Sequence, residues 1–506
     1  MTSSAHSPAA ELPLFPWQSG DCASVASLDS RSFAEVVFDG GLGSFRPTCL
    51  AAADARWALL GPSPDAHHAF LLGLHAVNAG LLGWAARRLG LSPSRAAVAG
   101  ALFLLSPLRL DAAANIHAAC DLLVTTFCLL FVITWRPHRP TAVSVGSAAV
   151  IALLAATTKE TGFVVVASCA AMIVFDRSAV APERHGWRPR RGALLSTAAL
   201  AVVLAGAFVA RATVLRGIAG TYAEGLWATG PGLRGVLAGL FATAVPVREV
   251  LDLSDLSRSL LPGPLRRPLM VALASVVALG AWAAARRLPP SRVRRFALVF
   301  TLSAAVPFLF SVNERSAYVA GVGAALFLAT LPLPTRLHRI GPVLLAALLV
   351  VGAALRVRAY VDAGALAHGL RREALRLGEA SGASAVYIAG SPVRLRGARS
   401  SPVSECHALL DSSGPQVIGV FRGVSDEGVG PALNGARVRA RAGFVFHRAY
   451  CGPGDGLLPD GLEAEVGCVD GSVSDIALSG RAAQGELVLV WTGGQTLESL
   501  VNEDLP

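Results

Sequence analysis

Between residues 66 and 358 the apolar residues gather into runs of roughly 16–22, the length a helix needs to cross a hydrocarbon core. Only 15% of the chain is charged, against about a quarter in soluble domains. The pattern predicts an α-helical polytopic membrane protein with about ten transmembrane helices. They are expected at 66–86, 96–110, 118–135, 141–157, 160–175, 193–213, 268–285, 296–311, 316–333 and 340–357. The apolar stretch 232–250 reads as a helix lying in the outer interface. Residues 359–383 read as an amphipathic connecting helix. Residues 384–506 are mixed and Gly-rich, which predicts a small soluble α+β or mostly β domain with strands at 384–390, 416–421, 436–447 and 486–492.

The net charge of +10 is explained by topology, not by nucleic acid. Arginines collect in the short loops 87–95, 136–140, 176–191, 286–295 and 334–339, which places those loops in the cytoplasm. The ledger closes if 214–267 makes no net crossing; a second crossing there is the competing reading. Residues 1–65 and the C-terminal domain then lie outside, in the periplasm of a bacterial inner membrane. No apolar h-region follows a basic start. A tail of this length outside the membrane suggests a first helix lost upstream of Met1. Cys120, Cys128 and Cys169 fall in apolar segments and read as small core residues. A Cys451–Cys468 disulfide fits an oxidising compartment.

Polar groups in membrane helices are costly and face a cavity or a partner. His68, His75 and Asn78 share one helix face, by their i, i+7 and i, i+3 spacing. Interhelical hydrogen bonding is the alternative to binding there. Asp111, Asn115, His117 and Asp121 gather at an outer turn, where carboxylates can act as acid and base or hold a divalent cation. Asp121 could equally cap its helix. Lys159 is the only lysine in the chain and stands beside Glu160 in another outer turn. Its ammonium suits a lipid phosphate; the alternative is a snorkelling loop residue. Glu314, Arg315 and Tyr318 occupy a third outer turn, with Arg315 a second candidate phosphate ligand or a partner of Glu314. Asp21, Asp29, Asp39 and Arg46 belong to the same face. No ATP or nucleotide sugar is supplied there, so an enzyme must take its activated group from a lipid.

These residues carry a resemblance. FRPTCL (45–50), HHAFLLGLHAVNAGLLGWAARRLG (67–90), SPLRLDAAANIHAACDLL (106–123), TTKETGFVVV (157–166) and NERSAYVAGVGAALFLA (313–329) resemble, in order, segments of the GT-C glycosyltransferases. The similarity is to the bacterial relatives of the transmembrane O-mannosyltransferases that carry tetratricopeptide repeats. The resemblance implies a GT-C-like bundle and transfer of a sugar from a polyprenyl-phosphate donor to a glycan or protein acceptor. It implies an acid of the first outer loop as base, here Asp21 or Asp29, with Asp111 and Asp121 completing the acidic site. Lys159 and Arg315 would hold the phosphate, with Glu160, Glu314, Tyr318, Arg46, His75 and Asn78 around the substrate. The chain departs from the pattern at Ser106, Arg109, Asp111 and Ala119, and has no tetratricopeptide repeats. An inactive relative that anchors the periplasmic domain or binds lipid is the second reading. A transporter or flippase is the third.

Overall fold

The computed structural model describes residues 45–174 apart from 62, 115–117 and 137–139. It also describes 191–215, 291–309, 314–331, 341–389, four positions between 236 and 243, and the strands between 394 and 499. The described residues are mostly helical and divide into two compact units. One holds the described residues of 45–61 and 67–356; the other holds those of 357–506, with 63–66.

The helical unit contains α1 (Pro47–Leu60), α2 (Pro64–Arg88), α3 (Pro93–Leu104), α4 (Pro107–Ala113), α5 (Ala119–Thr134), α6 (Ala142–Thr158), α7 (Glu160–Val174), α8 (Arg191–Val214), α9 (Arg292–Ala304) and α10 (Glu314–Ala329). Local chemistry sets the ends. Ser92 caps α3, accepting from Arg95 N–H at 3.4 Å ahead of Pro93 at the first helical position. Thr141 and Ser144 form a reciprocal capping box on α6, at 3.1 and 3.0 Å. Lys159 is extended (φ −160°, ψ 151°) and separates α6 from α7. Gly61, at φ 60°, ends α1 in the left-handed region that glycine enters without steric cost.

Among the described residues two helices, Asp65–Arg88 and Leu194–Val214, are long and apolar enough to cross a membrane. Further apolar helices at 93–104, 119–134, 142–158, 160–172 and 317–329 are shorter. The span expected at 96–110 is broken at Leu105–Ser106 into α3 and α4, because Pro107 disfavours helical backbone at the residue before it. The run 296–311 ends as helix at Ala304 and continues as a 3-10 turn over Val306–Leu309. The span at 268–285 and nearly all of 232–250 lie outside the described residues. Helix α1 was not anticipated within 1–65.

Two long helices bury their polar residues among apolar ones and expose large apolar residues on the opposite face. On α2, Leu71, His75, Asn78 and Leu82 are buried, while Phe70, Val77 and Trp84 are exposed on the other face. On α8, Ser196, Leu200, Ala207 and Arg211 are buried, while Leu195, Val202 and Val209 are exposed at seven-residue spacing. A helix packed against a water-soluble core carries polar residues on its outer face instead.

The expected final span and connecting helix are one element, α11 (Gly341–Ser381), since 353–381 holds no Pro and its glycines, Gly364, Gly369 and Gly378, do not break it. In the second unit, β1 (Ala385–Ala389) lies between two parallel neighbours, β2 (Gln416–Val420) and β7 (Glu486–Gly493), with Ala385 opposite Gln416 and Glu486. Its unbroken apolar run, AVYIA, suits a strand covered on both faces. A second sheet runs β3 (Ala432–Leu433), β4 (Arg437–Arg439), β6 (Ser472–Gly480), β5 (Leu462–Val469), and β8 (Thr496–Ser499) flanks β7 in the first. The strand expected over 436–447 is two pieces: β4, and Val445–Phe446, which pairs with Gly423–Val424 instead. The β5–β6 hairpin was not anticipated, although Asp470-Gly471 between its strands is the dipeptide favoured in two-residue hairpin loops.

Candidate functional site

Five charged side chains come together at the α6–α7 junction. Lys159 donates from Nζ to Asp121 Oδ1 in a short ion pair across to α5. Asp121 is buried, with 3% of its side chain exposed, and Lys159 is nearly so at 15%. Asp121 is not the cap of α5: Ala118 holds that position, which frees the carboxylate to turn toward the ammonium. The next residue, Glu160, receives two bonds from Arg46, Nε at 3.3 Å and Nη2 at 3.0 Å, and one from Arg211 Nη1 at 3.0 Å. Among the described residues, three cations thus face two carboxylates. The side chain of Glu160 is 36% exposed, the most open of the five.

A short N-terminal segment closes one side. Thr48 and Thr157 share a hydroxyl–hydroxyl bond of 2.7 Å, and Arg211 Nη1 also reaches Phe45 O at 3.5 Å. Cys49 and Cys120 are joined in a disulfide, Cα to Cα 5.4 Å. This corrects the reading of Cys120 as a small core cysteine. Cys128 and Cys169 are free and buried, as expected. Cys451 lies outside the described residues.

A second polar cluster is buried between α2, α5 and α10. Tyr318 Oη is 2.8 Å from His75 Nδ1 and 3.2 Å from Asn78 Nδ2. His75 Nε2 faces Leu104 O at 3.1 Å, and a carbonyl can only accept. Nε2 therefore carries the hydrogen, Nδ1 accepts from the Tyr318 hydroxyl, and that oxygen accepts from Asn78. Asn78 also donates to Leu122 O at 3.0 Å and accepts from Thr126 at 2.7 Å. His75, Asn78 and Tyr318 are thus satisfied by one another and by helix carbonyls. Arg109 is also buried. It bonds Ser106 Oγ and, at 2.8 Å, Thr243 O, and it lies against Gly321 of α10.

The structure brings Asp121, Lys159, Glu160 and Arg46 to one place, and puts His75, Asn78 and Tyr318 in a separate cluster. Asp111 is on α4, and Glu314 and Arg315 open α10, but their side chains, like Asp21, Asp29, Asn115 and His117, lie outside the described residues. No group of three or more His, Cys, Asp or Glu able to hold a metal occurs among the described residues. Sequence reasoning overlooked Arg211 and the Cys49–Cys120 bond. Arg211 carried a signal: it is a lone charge inside the apolar run 193–213, and such charges have a partner.

Chemically, the junction offers a buried carboxylate, an ammonium and two guanidinium groups around an exposed edge. A carboxylate can take a proton from a hydroxyl, and cations of this kind stabilise a phosphate leaving group. Comparison with family models, characterised proteins and solved structures returns no match.

Proposed function

We propose that the protein is a multi-pass membrane glycosyltransferase that moves a sugar from a polyprenyl-phosphate donor to a glycan or protein acceptor at the periplasmic face of a bacterial inner membrane. The carrying observation is the α6–α7 junction, where Asp121 and the chain's only lysine pair beside the Arg46–Glu160–Arg211 network. In this reading Lys159, Arg46 and Arg211 attract the lipid phosphate and Asp121 belongs to the acidic site, with Asp111 and one of Asp21 or Asp29. Arg315, Glu314 and the clasp of His75, Asn78 and Tyr318 complete or brace the pocket. A divalent cation is a candidate cofactor.

Three features support it. The exposed apolar stripes on α2 and α8, with His75, Asn78 and Arg211 turned inward, suit helices solvated by lipid. The Cys49–Cys120 disulfide is next to Asp121, and disulfides persist in oxidising compartments. The sequence segments that resemble GT-C enzymes include Arg46, Asp121, Lys159 and Glu160, which meet in space although up to 114 residues apart.

The test is purified protein in nanodiscs given polyprenyl-phosphate hexoses, with release of the lipid phosphate followed by mass spectrometry. The reading expects hexose loss from one donor with wild type and none with Asp121→Asn at equal folded protein. No turnover of any donor or acceptor would favour the inactive relative. The mutual satisfaction of His75, Asn78 and Tyr318 fits that second reading, because it leaves them with a bracing role.

A further inference from the structure

Residues 45–50 are fastened, almost residue by residue, to four different helices. Phe45 and Leu50 are buried against Val214 and Leu215 at the end of α8. Arg46 is bonded to Glu160 on α7, Thr48 to Thr157 on α6, and Cys49 to Cys120 on α5. The attachment points bracket one ion pair. Thr157 and Glu160 stand on either side of Lys159 in sequence, and Cys120 precedes Asp121. The segment is therefore tied to close sequence neighbours of both members of the Asp121–Lys159 pair, whose side chains are 3% and 15% exposed. Among the contacts of the described residues the disulfide is the covalent one; Thr48 adds a hydrogen bond, Arg46 a partly exposed ion pair, and Phe45 and Leu50 a small apolar contact, and noncovalent contacts of this kind open and close locally.

We infer that residues 45–50 form a strap over the Asp121–Lys159 pair and that the Cys49–Cys120 disulfide keeps it shut, so that thiol–disulfide exchange governs access to Lys159. This goes beyond the transferase reading and does not rest on it. Cys120 is partly exposed while Cys49 is buried, so Cys120 is the sulfur an incoming thiolate can reach. A dithiol reductant attacks there, forms a mixed disulfide and is resolved by its own second thiol. The Cys49–Cys120 bond breaks, each sulfur gains one electron and one proton, and the reductant leaves as its disulfide. Reduction frees Cys49 in the first turn of α1 and leaves the segment held by its noncovalent contacts.

The chain supplies its own reporter, because Lys159 is its only side-chain amine. Full-length protein in detergent is treated with an amine-acetylating reagent, with or without dithiothreitol, and acetylation is timed on the Lys159 peptide by mass spectrometry. Oxidised protein should label slowly, and reduction should raise the rate about tenfold with helical circular dichroism retained, as expected for a local opening. Reoxidation should restore the slow rate. Cys49→Ser should label at the fast rate with no reductant and should not respond to it. Equal rates before and after reduction, with the freed thiols verified by mass, overturn the strap. Fast labelling that tracks loss of helical signal overturns it as well, since the bond would then support the whole fold and not a lid. If Cys49→Ser does not fold, the wild-type reduction and reoxidation arms decide alone.

Discussion

Arg46 and Glu160 are 114 residues apart in the chain and meet through two parallel hydrogen bonds, Nη2 to Oε2 at 3.0 Å and Nε to Oε1 at 3.3 Å. The planar fork of the guanidinium matches the carboxylate, and Arg211 enters from a third direction. A lysine ammonium cannot make the same two-point contact. Arg46→Lys should therefore lower thermal stability only slightly, by about 0.5–1 kcal/mol, because both partners are partly exposed and screened. It should reduce sugar transfer far more. Equal transfer by Arg46→Lys and wild type would remove Arg46 from the proposed phosphate-binding groups.

Tyr318→Phe removes the hydroxyl that joins His75 to Asn78 and leaves His75 Nδ1 without its donor in a fully buried place. The loss should be about 1–2 kcal/mol, read as a lower melting temperature in detergent. An unchanged melting temperature would show that the cluster does not brace α2, α5 and α10.

Gly162 lies where α7 crosses the end of α6. A Cβ there would overlap the carbonyl of Ala155 and meet Ala156 N at 3.0 Å, and neither backbone group can swing aside. Gly162→Ala should open the turn that presents Lys159 and Glu160, at a cost of about 1–3 kcal/mol. Thermal unfolding together with acetylation of Lys159 checks this; wild-type values in both would mean the crossing is looser than it looks.

Val202 is exposed at 72% in the middle of α8, on the stripe it shares with Leu195 and Val209. In lipid, Val202→Asp should disfavour insertion by about 2–3 kcal/mol and lower the membrane-bound yield. In water the same change would be nearly neutral. Normal yield and normal membrane fractionation would argue against lipid contact on this face.

Much of the helical pattern could be read directly from the residues. The expected 141–157 is Ala142–Thr158 and the expected 118–135 is Ala119–Thr134, because apolar run length and Ser, Thr and Pro at the ends are local properties. Nonlocal properties were less accessible. Nothing in the spacing of eight cysteines selects Cys49–Cys120, since pairing depends on which chain segments the fold brings together. Lys159 was noticed as the only lysine, but Asp121 as its partner depends on the packing of α5 against the α6–α7 turn. Arg211 was hidden by the apolar run around it, and α11 was divided in two because its character changes from apolar to amphipathic without any break in the helix.

The most direct measurement of the central claim is mass spectrometry of cell-surface glycans and secreted proteins from cells with wild-type protein, without it, and with Asp121→Asn. The account predicts that a hexose-bearing species present with wild type disappears both in the deletion and in Asp121→Asn, while the variant still accumulates folded in the membrane. Identical glycan and glycoprotein profiles in all three would contradict it.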